Sequence, residues 1–113
     1  MDIYGRRMWP NGLPDGNAFA ISAAGRNQPL PATVYNVSAN EFLVVWQDFR
    51  NGVSWDIGAQ RVSGAGALLD VNFPIAATGG DELNPAVAYG VTAGHYLVVW
   101  SEGGNIFARA CWL

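Results

Sequence analysis

The chain has no lysine, one histidine and one cysteine in 113 residues. All six basic residues are arginine, and they are scattered. Phosphate backbones are bound by clustered Lys and Arg, so a net charge of −3 and a pI near 4.7 argue against a nucleic-acid partner. The lone Cys111 cannot close an intrachain disulfide and carries no reading of redox compartment. His95 alone would have to serve any Ser-His-Asp or Cys-His arrangement. The clusters of His, Cys and carboxylate that hold metals are missing too, so no catalytic residue, metal or cofactor is expected. No apolar run approaches a membrane span, and strand-like sequence follows Met1 directly, without a visible leader. The chain fits a cytosolic protein, a mature form or a piece cut from something larger. No segment combines a 3.6-residue period with a cap, so no helix is expected.

What is present is apolar and turn-rich. Half the residues are hydrophobic, 13% are charged, and there are 14 Gly and 6 Pro. That composition suits a single all-β domain over residues 1–113. Its centre is Glu41-Phe42-Leu43-Val44-Val45-Trp46-Gln47-Asp48, which returns 54 residues later as His95-Tyr96-Leu97-Val98-Val99-Trp100-Ser101-Glu102. Each run reads as a strand buried on both faces. Its recurrence means that the chain is built from repeats.

The remaining segments obey the same spacing. Asp2–Met8 corresponds to Asp56–Val62 and, 49 residues further on, to Ile106–Cys111. Gly5, Ala59 and Ala108 share one position, where a small side chain would let a neighbouring sheet approach. Asn11-Gly12 and Asp15-Gly16 are turn dipeptides, matched by Ser63-Gly64-Ala65-Gly66. Ala18–Ser22 and Asn72–Ala76 are short strands, and Pro74 consigns the second to a sheet edge. Pro31–Asn36 and Pro85–Gly90 are strands with small side chains, suited to a crowded position. The loop Phe49–Ser54 shortens to Gly103-Gly104-Asn105 in the later copy, which accounts for the change of spacing.

Four short strands per fifty or so residues with tight turns describe a propeller blade. The motifs Pro-Ala-x-x-Tyr, Leu-Val-Val-Trp-x-Asp/Glu and Asp-Ile-Tyr-Gly-x-Arg resemble repeats of bacterial β-propeller proteins of the Tol-type, WD-like class, over nearly the whole chain. The resemblance implies the Pro-Ala strand nearest the axis, then the Val-Val-Trp strand, the Asp-Ile-Tyr strand and an outermost Phe-x-Ile strand. It also suggests an extracellular or cell-surface location. In that frame residues 1–22 are a partial blade, residues 31–76 a complete one and residues 85–113 a second partial one. A β-sandwich is the alternative fold.

Two blades cannot close a ring, and propellers have at least four. An open array leaves apolar faces wet. About 500 Å² of such surface at ~25 cal/mol per Å² is worth on the order of 12 kcal/mol, comparable to the stability of a whole small domain. Association of copies removes that cost, and a head-to-tail contact closes if the rotation fits. Three chains give six blades and are favoured over four. A seam blade would join residues 85–113 of one chain to the Phe19–Ser22 strand of the next, leaving Ile3–Met8 surplus or displaced.

For function, a non-enzymatic binding or scaffold module is expected. Trp46 and Trp100 read as packing. Trp9, Trp55 and Trp112 lie at strand ends or the chain end and, with Arg6 and Arg109, form a candidate ligand-binding set, because exposed indoles beside polar groups make sugar platforms. Small lectins that build six-bladed rings from two-blade chains are similar in size and blade count, which makes a glycan-binding lectin the alternative. A glycoside-processing enzyme would need paired carboxylates, for which Asp2, Asp48, Asp56 and Glu102 are the repeat-related candidates. Asp48 and Glu102 read instead as partners of Arg7 and Arg61 or as caps of the following hairpin. Asp81 and Glu82 correspond to Asn27 and Gln28, which argues against a repeated calcium loop. His95 reads as an exposed strand end, and Cys111 as a small packed side chain.

Overall fold

A computed structural model describes Met1–Leu113. The all-β expectation holds: nine strands and no helix. They are β1 (Ile3–Met8), β2 (Pro14–Ser22), β3 (Ala32–Asn36), β4 (Glu41–Asp48), β5 (Asp56–Ser63), β6 (Leu68–Ala76), β7 (Glu82–Gly90), β8 (His95–Glu102) and β9 (Asn105–Cys111). Each sheet is an antiparallel meander in chain order: β1-β2, then β3-β4-β5-β6, then β7-β8-β9.

Side chains alternate between the faces of a strand, so the register defines two faces of the central sheet. On one lie Leu43, Val45, Ile57 and Ala59; on the other lie Phe42, Val44, Trp46 and Val62. The Leu43 face packs on Tyr96, Val98, Trp100 and Cys111 of the β7-β9 sheet. The Trp46 face packs on Ile3, Phe19 and Ile21 of the β1-β2 sheet. By the 54-residue correspondence, Tyr96, Val98 and Trp100 are the counterparts of Phe42, Val44 and Trp46, and Ile3 is the counterpart of Ile57. The stack therefore runs in one direction: the Leu43-type face of each sheet meets the Trp46-type face of the next.

That order separates the two long apolar strands. β4 is buried on both faces, as its composition requires. β8 is not: Tyr96, Val98 and Trp100 are buried, whereas Leu97 is 42% exposed against 0% for its counterpart Leu43. The same sequence pattern yields different burial because the β7-β9 sheet has a neighbour on one side only.

Two local expectations change. Asn11-Gly12 makes the predicted turn, with Gly12 at φ 87° and its amide donating to the Trp9 carbonyl. Asp15-Gly16 does not turn; it lies inside β2, where Gly16 at φ 85° sits opposite a register shift of β1. Asp70 takes the equivalent place in β6 at φ 61°. These shifts are β-bulges, in which positive φ accommodates an extra residue, so both outer strands run longer than their apolar portions. The small residue at Gly5 also has another cause. A Cβ there would lie 2.9 Å from Ile21 Cδ1 and 3.1 Å from Phe19 Cζ, both on the paired strand rather than on a neighbouring sheet. Phe73 is likewise opposite Ala59. The position is small because a Phe of the outer strand lies across it.

A close approach that matters for the core is at Gly58, opposite Trp46. A Cβ there would stand 2.8 Å from the indole Nε1 and 3.1 Å from Asp48 Oδ2. Gly58→Ala therefore has to push the indole off its carboxylate. We expect a loss of roughly 1–3 kcal/mol in urea unfolding, while Gly12→Ala, which meets nothing within 4 Å, loses only the cost of its positive φ.

Candidate functional site

Buried polar residues tie the sheets together. The Trp46 indole donates to Asp48 Oδ2 at 2.8 Å, and the Arg50 amide and guanidinium donate to the same carboxylate at 2.8–2.9 Å. The Arg50 guanidinium also reaches Ser22 on β2 and Asn72 on β6. Burial works to raise the Asp48 pKa, but the donors from Arg50 and Trp46 together outweigh it and hold the carboxyl below its usual value. Asp48 thus caps its hairpin, as expected, but its ion partner is Arg50. Arg61 pairs with Glu41 at 2.9 Å and Arg7 with Asp15 at 2.7 Å, because both arginines lie at the opposite strand end from the Asp48 hairpin.

Glu41 is the second node. Arg61 forks onto its two oxygens at 2.9 and 3.1 Å, and the Tyr96 hydroxyl donates from the next sheet at 3.0 Å. The Arg61 bonds are the main cause of a lowered Glu41 pKa; burial opposes them and Tyr96 assists. Burial first, then the adjoining carboxylate, pushes the Tyr96 phenol up to about 12. Glu41 is replaced by His95 in the later copy, so no repeat signal marked this node. A third tie does repeat. The amide of Gln28 donates to the Met1 carbonyl and that of Glu82 to the Trp55 carbonyl, at positions 54 residues apart, and both side chains are fully buried.

The remaining carboxylates are unevenly engaged. Glu102 accepts from the Trp100 indole at 3.3 Å and from Thr78 at 3.1 Å. Asp56 accepts from Asn51 at 3.0 Å, and its pKa is raised by burial, then by the charges of Glu82 and Asp48. Asp2 is exposed at the chain start. Cys111 is buried, and burial pushes its thiol up against the pull of Arg109, as for a packed side chain.

The candidate ligand residues do not converge on one place. Trp9 and Arg6 stand at the β1 wall of a groove of about 620 Å³, whose floor is the Trp46 face at Phe42, Val44 and Val62. Trp9 is exposed, and the Arg6 guanidinium donates to the Gly16 carbonyl at 3.0 Å. Trp55 is half-buried and packs on Phe49, 4.8 Å between centroids. Trp112 is exposed, 4.6 Å from the ring of His95, which is itself half-buried rather than an open strand end. Arg109 donates to the Ile75 carbonyl at 2.7 Å. Trp9 and Trp112 nevertheless hold equivalent positions, as do Arg6 and Arg109, each pair three residues apart at the end of its strand.

No known protein family, curated protein sequence or solved structure matches this chain. No helix is long and apolar enough to cross a membrane.

The carboxylate shifts set a pH dependence. Glu41 and Asp48 have depressed folded pKa values, so their contribution is present above their unfolded values, near 4, and is lost as pH falls through the folded ones. Asp56 is raised and has the opposite sign: its penalty at neutral pH is relieved on acidification. Two terms oppose one, so we expect the urea midpoint to fall between about pH 5 and pH 3. Glu41→Gln should flatten that slope and cost about 1–3 kcal/mol at pH 7. Asp56→Asn should raise stability at pH 7 and leave it unchanged well below pH 4.

Proposed function

We propose that the chain is a non-enzymatic β-propeller module whose sheets are blades, and that copies close one ring to present a scaffold or binding surface. The observation that carries this reading is the one-way stack. A sandwich that buries like faces against each other terminates itself. A stack that always buries a Leu43-type face on a Trp46-type face leaves two unlike surfaces open at its ends. Contacts between unlike surfaces of identical chains propagate, and end only when the rotation closes a ring. The motifs Leu43-Val44-Val45-Trp46 and Asp56-Ile57-Gly58 accord with the bacterial propeller resemblance. Three chains with six blades are favoured, and four with eight are the other closed option.

A second reading, a lectin, is favoured by the recurrence of Arg6 with Trp9 and of Arg109 with Trp112. Exposed indoles recurring at equivalent strand ends would repeat a sugar platform around a ring, in keeping with an extracellular or cell-surface setting.

Light scattering across a dilution series tests the ring: three chain masses are expected, and a monomer at every concentration sinks the proposal. Leu97→Asp places a charge on the open face and should leave folded monomers. On a glycan array, binding that disappears in Trp112→Ala establishes the lectin reading; no binding to any sugar removes it.

A further inference from the structure

The two sheets of fewer than four strands differ in a way that the ring reading does not require. The equivalent strands β1, β5 and β9 carry an isoleucine at one shared position at or next to their start. Ile3 in β1 is 3% exposed and Ile57 in β5 is 0% exposed, but Ile106 in β9 is 75% exposed. Leu97 is open where Leu43 is closed. Ala108 is exposed and has no outer strand beside it, whereas Gly5 is paired with Phe19 and Ala59 with Phe73. The β7-β9 sheet thus presents an assembled Leu43-type face, together with a vacancy for a fourth strand and its phenylalanine.

The β1-β2 end has the complementary shape. β2 pairs with β1 in the register that β6 uses on β5, and the bulges fall at the same positions. Tyr4 is opposite Ala20 as Gly58 is opposite Pro74, and Arg7 is opposite Asp15 as Arg61 is opposite Leu69. β2 is therefore built as a fourth strand, with Phe19 and Ile21 already seated on the Trp46 face. Beside β1 that face floors the groove, where Phe42 is half-buried and Val44 and Val62 are already buried. β1 itself buries little side chain: of its six residues only Ile3 is buried.

We infer that the groove is the docking site for the β7-β9 sheet of a second copy, and that β1 is a placeholder which β9 of that copy displaces from β2. The inference rests on the ring reading and adds which strand leaves and in what register. In the docked state Ile106, Ala108 and Ala110 take the places of Ile3, Gly5 and Arg7. β7 and β8 fill the groove, and Leu97 and Val99 cover the half-buried Phe42. Phe19 lies across Ala108 as it does across Gly5. Arg109 takes the position from which Arg6 bonds the Gly16 carbonyl at the bulge. The joined sheet then has four strands, β7-β8-β9 from one chain and β2 from the next. The free chain is closed on itself by β1, so assembly is a strand exchange rather than a simple docking.

Two cysteine pairs test this, each in a Cys111→Ser background. Arg7 and Asp15 are cross-strand partners joined by an ion pair, so Arg7→Cys with Asp15→Cys clamps β1 to β2 when oxidised. The reduced form should assemble as the unaltered chain does, and the oxidised form should be monomeric, with one chain mass by light scattering. An oxidised form that assembles like the reduced one overturns the displacement of β1 while the ring stands. If neither form assembles and the unaltered chain is also a monomer, the ring reading falls and this inference with it. Ala110→Cys with Asp15→Cys reads the register directly. Within one chain these residues lie on sheets that flank opposite faces of the central sheet, so a disulfide can form only between copies. We expect covalently linked chains on a non-reducing gel that separate on reduction. A single-chain band from a sample that light scattering shows to be oligomeric overturns the proposed register.

Discussion

A sheet that is apolar on both faces needs a neighbour on each side. The central β3-β6 sheet has both, and the burial of every β4 residue but the half-buried Phe42 is the result. The other two sheets are made of the same repeat and have one neighbour each. Their exposed residues are not scattered over the surface, where single apolar side chains carry no message. On β7-β9, Leu97 and Ile106 lie open on the Leu43-type face, at positions whose counterparts Leu43 and Ile57 in the central sheet are closed.

Polar ties fix the direction of the stack. Trp46, Asp48 and Arg50 form a unit over Gly58, and the guanidinium reaches the preceding sheet at Ser22. Glu41 holds Arg61 within its own sheet and Tyr96 in the next. The amides of Gln28 and Glu82 donate to the carbonyls of Met1 and Trp55 at each crossover. A buried carboxylate left without donors costs far more than the bond itself contributes. These groups therefore specify the pairing of unlike faces, which hydrophobic contact alone, being non-directional, does not.

Much of the architecture was legible because the 54-residue spacing repeats whole patterns. The all-β class, the hairpin between β4 and β5, and the place of Pro74 on an outer strand all follow from it. What could not be read depends on neighbours. Val44-Val45-Trp46 and Val98-Val99-Trp100 are identical as text, and their different burial is set by what lies outside the sheet. The role of Gly16 needed the register: its positive φ was expected for a turn and serves a bulge. The ion partner depends on local geometry in the same way: repeat equivalence leaves Asp48 either to Arg7 and Arg61 or to a hairpin cap, and the fold gives the cap, with Arg50 two residues away as the partner. Of the candidate ligand set, sequence placed Trp9 and Arg6 on one strand end, but only the fold puts them at a groove and seats Trp55 against Phe49.

The sheet edges separate one strand from the rest. An unpaired edge invites another strand, and folded proteins blunt such edges with proline, bulges or charge. β6 carries Pro74 and a bulge at Asp70, and β2 begins at Pro14 and bulges at Gly16. The outward edge of β9 has none of these. Its pairing with β8 runs without a shift from Asn105 to Cys111, and within Ile106–Cys111 its one charge, Arg109, is turned inward to the Ile75 carbonyl. Outer strands that end a sheet are protected in this chain, and the third strand that ends one is not. A third strand is not the natural end of a sheet in this repeat, and the regular, uncharged edge of β9 has the form of one that receives a partner.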